Sequence, residues 1–223
     1  MIELLQFRHS PYNEKVRWAL DLKRVPHRRR SLLPGPHMGV VKKLTGRTQT
    51  PVLVLDDGSA IAGSGRILDW LEQHHPAPRL TPDTPAEREQ ALMIQRHFDD
   101  DITPRIRRTV LDALLRRPRF FAAVFAEAES PLKQRLYSLI VPLAAPMVRK
   151  GNGITGAAAV ADGIAAAHEA LDSSPRRPKG PATWSAIVSA SPTSPPPPRW
   201  PPWSGPTIRR CKARNRSTRC SRN

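Results

Sequence analysis

Residues 50–72, TPVLVLDDGSAIAGSGRILDWLE, leave few folds open to this chain. Val52–Leu55 is a short apolar run, Asp56-Asp57-Gly58 is turn chemistry, and Ser59–Ala62 returns as a second strand. Ser64 then opens a helix whose apolar positions Ile67, Leu68 and Leu71 keep helical spacing to about His74. A hairpin that feeds directly into an amphipathic helix has to bury both apolar faces against each other. That calls for a sheet with a helix laid on it.

The residues before it fit the same plan. Ile2–Phe7 reads as a buried strand. Ser10 as N-cap, Pro11 at the first helical position and Glu14 in the first turn mark a helix start. Val16, Ala19 and Leu20, with Trp18 beside them, supply its apolar residues out to about Leu22. Val25–Leu33 predicts a second strand and Met38–Leu44 a short helix. The order βαβαββα is that of a thioredoxin-like domain, over residues 1–75. Residues 76–85 form a Pro-rich linker. Residues 86–172 are helical in pattern throughout, with Pro104 and Pro118 as bends or boundaries.

The formal net charge of +17 suggests a nucleic-acid partner, but its distribution argues against one. The last 51 residues hold eleven of the 36 Lys and Arg and no acid, which leaves 25 basic against 19 acidic residues elsewhere. The only cysteines, Cys211 and Cys220, lie in that basic end, where they make no disulfide framework. The longest apolar run, LIVPLAAPMV at 139–148, falls short of the roughly 20 residues a spanning helix needs. With no leader pattern at the start, a soluble cytoplasmic protein without a membrane partner is the expectation.

Two stretches carry a resemblance. SPYNEKVRWAL (10–20) and the 50–72 segment, with the spacing between them, are similar to the cytosolic glutathione S-transferase family. The likeness is specific over roughly 1–115 and rests on helical character alone over 116–172. It implies glutathione as co-substrate, no metal, a small electrophile as second substrate, a homodimer as a candidate assembly, and conjugation of the detoxifying kind.

In RHSPYNEKVRWAL (8–20), Ser10-Pro11-Tyr12-Asn13 occupies the place of a redox C-P-x-C, so no thiol of the chain's own is present there. Conjugation needs the ligand's sulfur as thiolate, whereas a free thiol has a pKa of about 8.5. A hydroxyl and free N–H groups at a helix N-terminus both favour that anion. In serine-type members of the family the matching serine does this, which implies the catalytic role for Ser10; the plain alternative is an N-cap. The resemblance further implies that Thr50, before a cis Pro51, pairs its backbone with the ligand's cysteinyl unit. It implies that Ser64 holds the γ-glutamyl carboxylate and that Gln49 makes a basic or amide-type contact. A turn proline and a simple helix cap are the alternatives for Pro51 and Ser64. Gly63 departs from the pattern, since the family places Glu or Gln there, and this leaves the identity of the small thiol open. A non-enzymatic thioredoxin-fold binding module is the competing reading, and a tail-mediated binder of nucleic acid or acidic surfaces a third.

Other clusters read as surface. Asp99-Asp100-Asp101 suits a solvated face with an acid pairing to Arg105, His74-His75 suits a helix end, and KRVPHRRR (23–30) suits a basic loop and edge strand.

After Asp172 the composition changes abruptly to Pro, Ser and Arg. A disordered Pro/Arg-rich tail is one reading. The sharper one comes from Pro181–Trp200. Written in GC-rich codons and read two bases on, it encodes GHLVGDRFSVADLTAAAAL. That string opens a helix with an S-x-x-D capping box, as the transferase family does at this point. Residues 173–223 therefore read as a frameshift product, and 86–172 as an incomplete helical domain.

Overall fold

A computed structural model describes residues 1–173, which belong to one compact unit. The disordered-tail and frameshift readings lie outside the described residues, apart from residue 173.

Four strands, β1 (Ile2–Gln6), β2 (His27–Ser31), β3 (Val52–Val54) and β4 (Ala60–Ala62), form one sheet in the order β2-β1-β3-β4. β1 runs parallel to β2, while β3 is antiparallel to both β1 and β4. α1 (Pro11–Leu22) and α3 (Ser64–His74) cover one face and α2 (His37–Thr45) the other. Strand alternation decides which residue faces which layer. Leu4 and Leu53 join Val16, Ala19, Leu20, Ile67 and Leu71 under α1 and α3. Their neighbours Leu5 and Val52 pack with Val41 and Ala62 under α2. β2 is an edge strand carrying Arg28, Arg29 and Arg30, and charge on such an edge discourages further strand pairing.

Lys23 does what its sequence context hides. Its side chain is fully buried, and its ammonium donates to the carbonyls of His75 (2.6 Å) and Pro78 (2.9 Å) beside the Glu72 carboxylate (2.7 Å). Glu72 also accepts from Leu80 N–H at 2.8 Å, so the linker after α3 is tied to the body by one acid–base pair.

The remainder is helical: α4 (Pro85–His97), a π-helical turn (Phe98–Ile102), α5 (Thr103–Leu115), α6 (Pro118–Phe125), α7 (Pro131–Gly151) and α8 (Ala157–Ser173). Pro104 stands in the first turn of α5 and Pro118 at the start of α6, where a missing N–H costs nothing. α5 and α8 approach closely at Gly163, where an added Cβ would lie 2.3 Å from both Arg105 O and Thr109 Oγ1. Thr109 donates to Val160 O at 2.6 Å, and Arg105 binds Asp162 (2.8 Å) and Glu169 (2.9 Å) across the same crossing. A small core of Leu115, Phe121 and Val141 joins α5, α6 and α7. The helical part meets the sheet layer through Tyr12 Oη donating to Asp99 O (2.7 Å), the Lys15–Asp99 ion pair, and Tyr137 Oη donating to Pro34 O (2.7 Å). No helix among the described residues is long and apolar enough to cross a membrane.

Candidate functional site

Ser10 lies in the turn between β1 and α1. Its backbone is extended (φ −96°, ψ 128°), its N–H donates to Phe7 O at 3.3 Å, and its carbonyl takes the first helical bond from Glu14 N–H at 2.9 Å. This is N-cap geometry, yet the side chain makes no capping hydrogen bond. The half-buried hydroxyl therefore remains available at the positive end of a twelve-residue helix. Arg17 braces the turn from below: it donates to Gln6 Oε1 (2.7 Å) and Arg8 O (2.8 Å) and pairs with Glu14. Burial, with Arg29 and Arg8 nearby, lowers the Arg17 pKa.

Thr50-Pro51 is a cis peptide bond at the entrance to β3. Thr50 is half-buried, and its N–H and C=O pair with no backbone group among the described residues. Gln49 beside it is exposed. Gly63 N–H donates to Pro51 O at 3.0 Å, which draws the start of α3 against this loop.

At α3 the structure corrects one detail. Ser64 is not the cap: Gly63 holds that place and Ser64 is the first helical residue, because Ile67 N–H bonds to Gly63 O (3.1 Å). Ser64 is buried, and its hydroxyl has no hydrogen-bond partner among the described residues. Gly63 sits at φ +98°, where side chains are strained, although a Cβ there would meet nothing within 4 Å.

Residues 10–13, 49–51 and 63–64 are stitched together by two hydrogen bonds. One is Gly63 to Pro51; the other runs from Asn13 Nδ2 to Thr50 Oγ1 at 3.2 Å. Two helix N-termini and a loop with free backbone groups thus share one end of the sheet, a setting for an anionic, peptide-like ligand. Beside the Ser10 turn, Arg8 reaches Glu127 at 2.8 Å, and a narrow cleft runs between this turn and residues 124–129. The sequence reading missed Asn13, Arg17 and Glu127. The first two recur on one side of α1, and that buried polar spacing was the signal available.

His97, Asp101 and Glu169 form the one group with metal-ligand spacing among the described residues. All three are exposed, and the Arg105 guanidinium already compensates Glu169 (2.9 Å) and Asp101 (3.6 Å).

Residues 4–79 match the model of the glutathione S-transferase N-terminal domain. No curated protein matches the chain. Among solved structures, FzlA from C. crescentus is 21% identical, with a TM-score of 0.53 over 77% of this chain and 64% of that one; the likeness is one of fold. A glutathione S-transferase from Rhodospirillum rubrum F11 is 26% identical over 51% of this chain and 54% of its own length, with a TM-score of 0.47. One from Methylobacterium radiotolerans is 28% identical over 63% of each chain, with a TM-score of 0.39. The chain thus spans between about half and two thirds of the solved relatives it matches first.

Proposed function

We propose, for a chain whose residues 4–79 belong to the glutathione S-transferase N-terminal domain family, that it binds glutathione or a similar small thiol and activates the sulfur for attack on an electrophile. The Ser10 hydroxyl donates a hydrogen bond to the sulfur, and the first turn of α1 favours the thiolate electrostatically. The thiol proton passes to solvent. The thiolate pair forms the new carbon–sulfur bond, and the bond broken at the electrophilic carbon carries its own electron pair away. Thr50 N–H and C=O hold the cysteinyl backbone, and Pro51 sets that loop. Ser64 and the first turn of α3 receive the γ-glutamyl carboxylate, with Gln49 at the rim. Residues 1–75 bind the thiol, 76–85 link, and 86–172 supply the electrophile's wall. The conjugation is of the detoxifying kind, takes place in the cytoplasm and needs no metal.

The observation that carries this reading is the Ser10 hydroxyl, placed to cap α1 and not spent on capping it. Retention on immobilised glutathione tests binding. Ser10→Ala is expected to lower turnover roughly 10- to 1000-fold while retention survives, as for loss of one donor to a developing anion. Unchanged turnover reduces Ser10 to a cap.

One feature favours a second reading, a binding module without catalysis: Gly63 brings no side chain beside Ser64. Retention with no conjugation by the intact chain would select it.

A further inference from the structure

We infer that Asn13 is a positioning residue of the thiol site, holding Thr50 in register with Ser10; this rests on the functional reading above. Asn13 is fully buried one helical turn after Ser10. One end of its amide donates to Thr50 Oγ1 at 3.2 Å. The other, Oδ1, is the buried side-chain polar atom left without a partner among the described residues. Turning the amide over would change which atom is orphaned and would still leave one end unmatched.

A buried amide with an unpaired end is less stabilising than an apolar side chain of similar bulk. The contact with Thr50 is therefore poorly explained as a stabilising device, and its consequence is geometric. α1 is anchored in the core by Val16, Ala19 and Leu20, so Asn13 is a fixed point. Thr50 lies outside any helix or strand, with its own backbone groups unpaired, and the loop is otherwise held at Pro51 by Gly63 N–H. Ser10 and Asn13 belong to one rigid turn. A single amide therefore sets the separation between the hydroxyl that meets the sulfur and the backbone that holds the cysteinyl unit. Small errors in such a separation are costly to reactivity.

The test uses the full chain with four variants: Asn13→Ala, Thr50→Val, the double variant, and Thr50→Ser. Glutathione affinity is read by calorimetry and thiolate formation by ultraviolet absorption across pH. Each removal is expected to weaken glutathione about three- to tenfold, the span of one net hydrogen bond. The double variant loses no more than either single one, and Thr50→Ser, which keeps the hydroxyl, binds as the wild type does. In Asn13→Ala the bound thiol ionises at higher pH, because the sulfur no longer seats on Ser10. Losses that multiply in the double variant overturn the assignment. So do variants that melt earlier with affinity and ionisation unchanged, which marks a purely structural contact. Thr50→Val, at a half-buried loop position, keeps the test decisive if Asn13→Ala fails to fold. A wild-type chain that does not bind glutathione at all overturns the functional reading and this inference together, whereas binding with independent effects overturns this one alone.

Discussion

The sheet layer and the helices after it bury their apolar residues very differently. Leu4, Leu20, Leu53, Ile67 and Leu71 are all 0% exposed. In α7, by contrast, Leu132, Leu139 and Leu143 are 78, 67 and 82% exposed, and Val141 is the single buried residue of the helix. Leu132, Leu136, Leu139 and Leu143 follow each other at intervals of four and three, the spacing of a face meant to be covered. In the first region every apolar face meets a partner within the described chain; in the second a whole helix face does not. Periodicity reports that a face was written to be buried, and packing reports whether anything arrived.

Restoring the second reading frame over codons 181–200 is the largest expected perturbation. Covering a leucine contributes about 1.5–3 kcal/mol, so covering the α7 face is expected to raise the melting temperature by roughly ten degrees or more. Deleting 174–223 from the chain as it stands is expected to change it by only a degree or two. A large loss on that deletion would end the frameshift reading and place residues 174–223 in the packing.

Truncation within each region sharpens the contrast. Leu53→Ala removes a fully buried side chain and is expected to cost about 2–5 kcal/mol in denaturant unfolding. Leu143→Ala is expected to change stability by less than about 0.5 kcal/mol. Equal costs would show that the α7 face is covered in solution.

Close packing does exist among the helices, at the α5–α8 crossing. Gly163→Ala forces a methyl against Arg105 O and Thr109 Oγ1, at an expected cost of about 1–3 kcal/mol. A neutral result would mean that this crossing too is loose.

The smallest effect concerns Asp112, buried between Arg116 (2.7 Å) and Arg149. The Arg116 hydrogen bond, then that from Arg149, lowers its pKa below the ordinary 3.8. Because the folded value is depressed, the stabilisation is full above 3.8 and fades as pH falls through the folded value. Wild type and Asp112→Asn are expected to converge in stability at acid pH, followed by melting temperature against pH. A constant difference down to strong acid would show that the carboxylate's charge is immaterial.

Much of the sheet layer was legible because each signal there is local. Alternation placed Leu4 and Leu5 on opposite faces, Asp56-Asp57-Gly58 turned the hairpin, and Ser10-Pro11 started α1. Boundaries moved by a residue or two: the second strand, expected over Val25–Leu33, is His27–Ser31, and the last, expected over Ser59–Ala62, is Ala60–Ala62. The fold determined what local pattern could not. Lys23 looked like surface charge and is buried against two carbonyls. Asp101 does pair with Arg105, as expected, but Asp99 turns inward to Lys15 and Tyr12. Ser64 carries a capping residue's chemistry, yet the positive φ of Gly63 moves the cap one place back.

The sequence by itself determined the element order, the two apolar faces of the sheet and the three short stretches that make the site, because propensity, periodicity and turn chemistry act over a few residues. Only the tertiary structure decided that Asn13 would reach Thr50 across 37 positions, that Pro51 and Gly63 would join through their backbones, and that the Ser10 hydroxyl would be left uncommitted. The physical reason is that a hydrogen bond between distant residues depends on where rigid elements come to rest. That is set by the packing of whole faces, and no single residue records it.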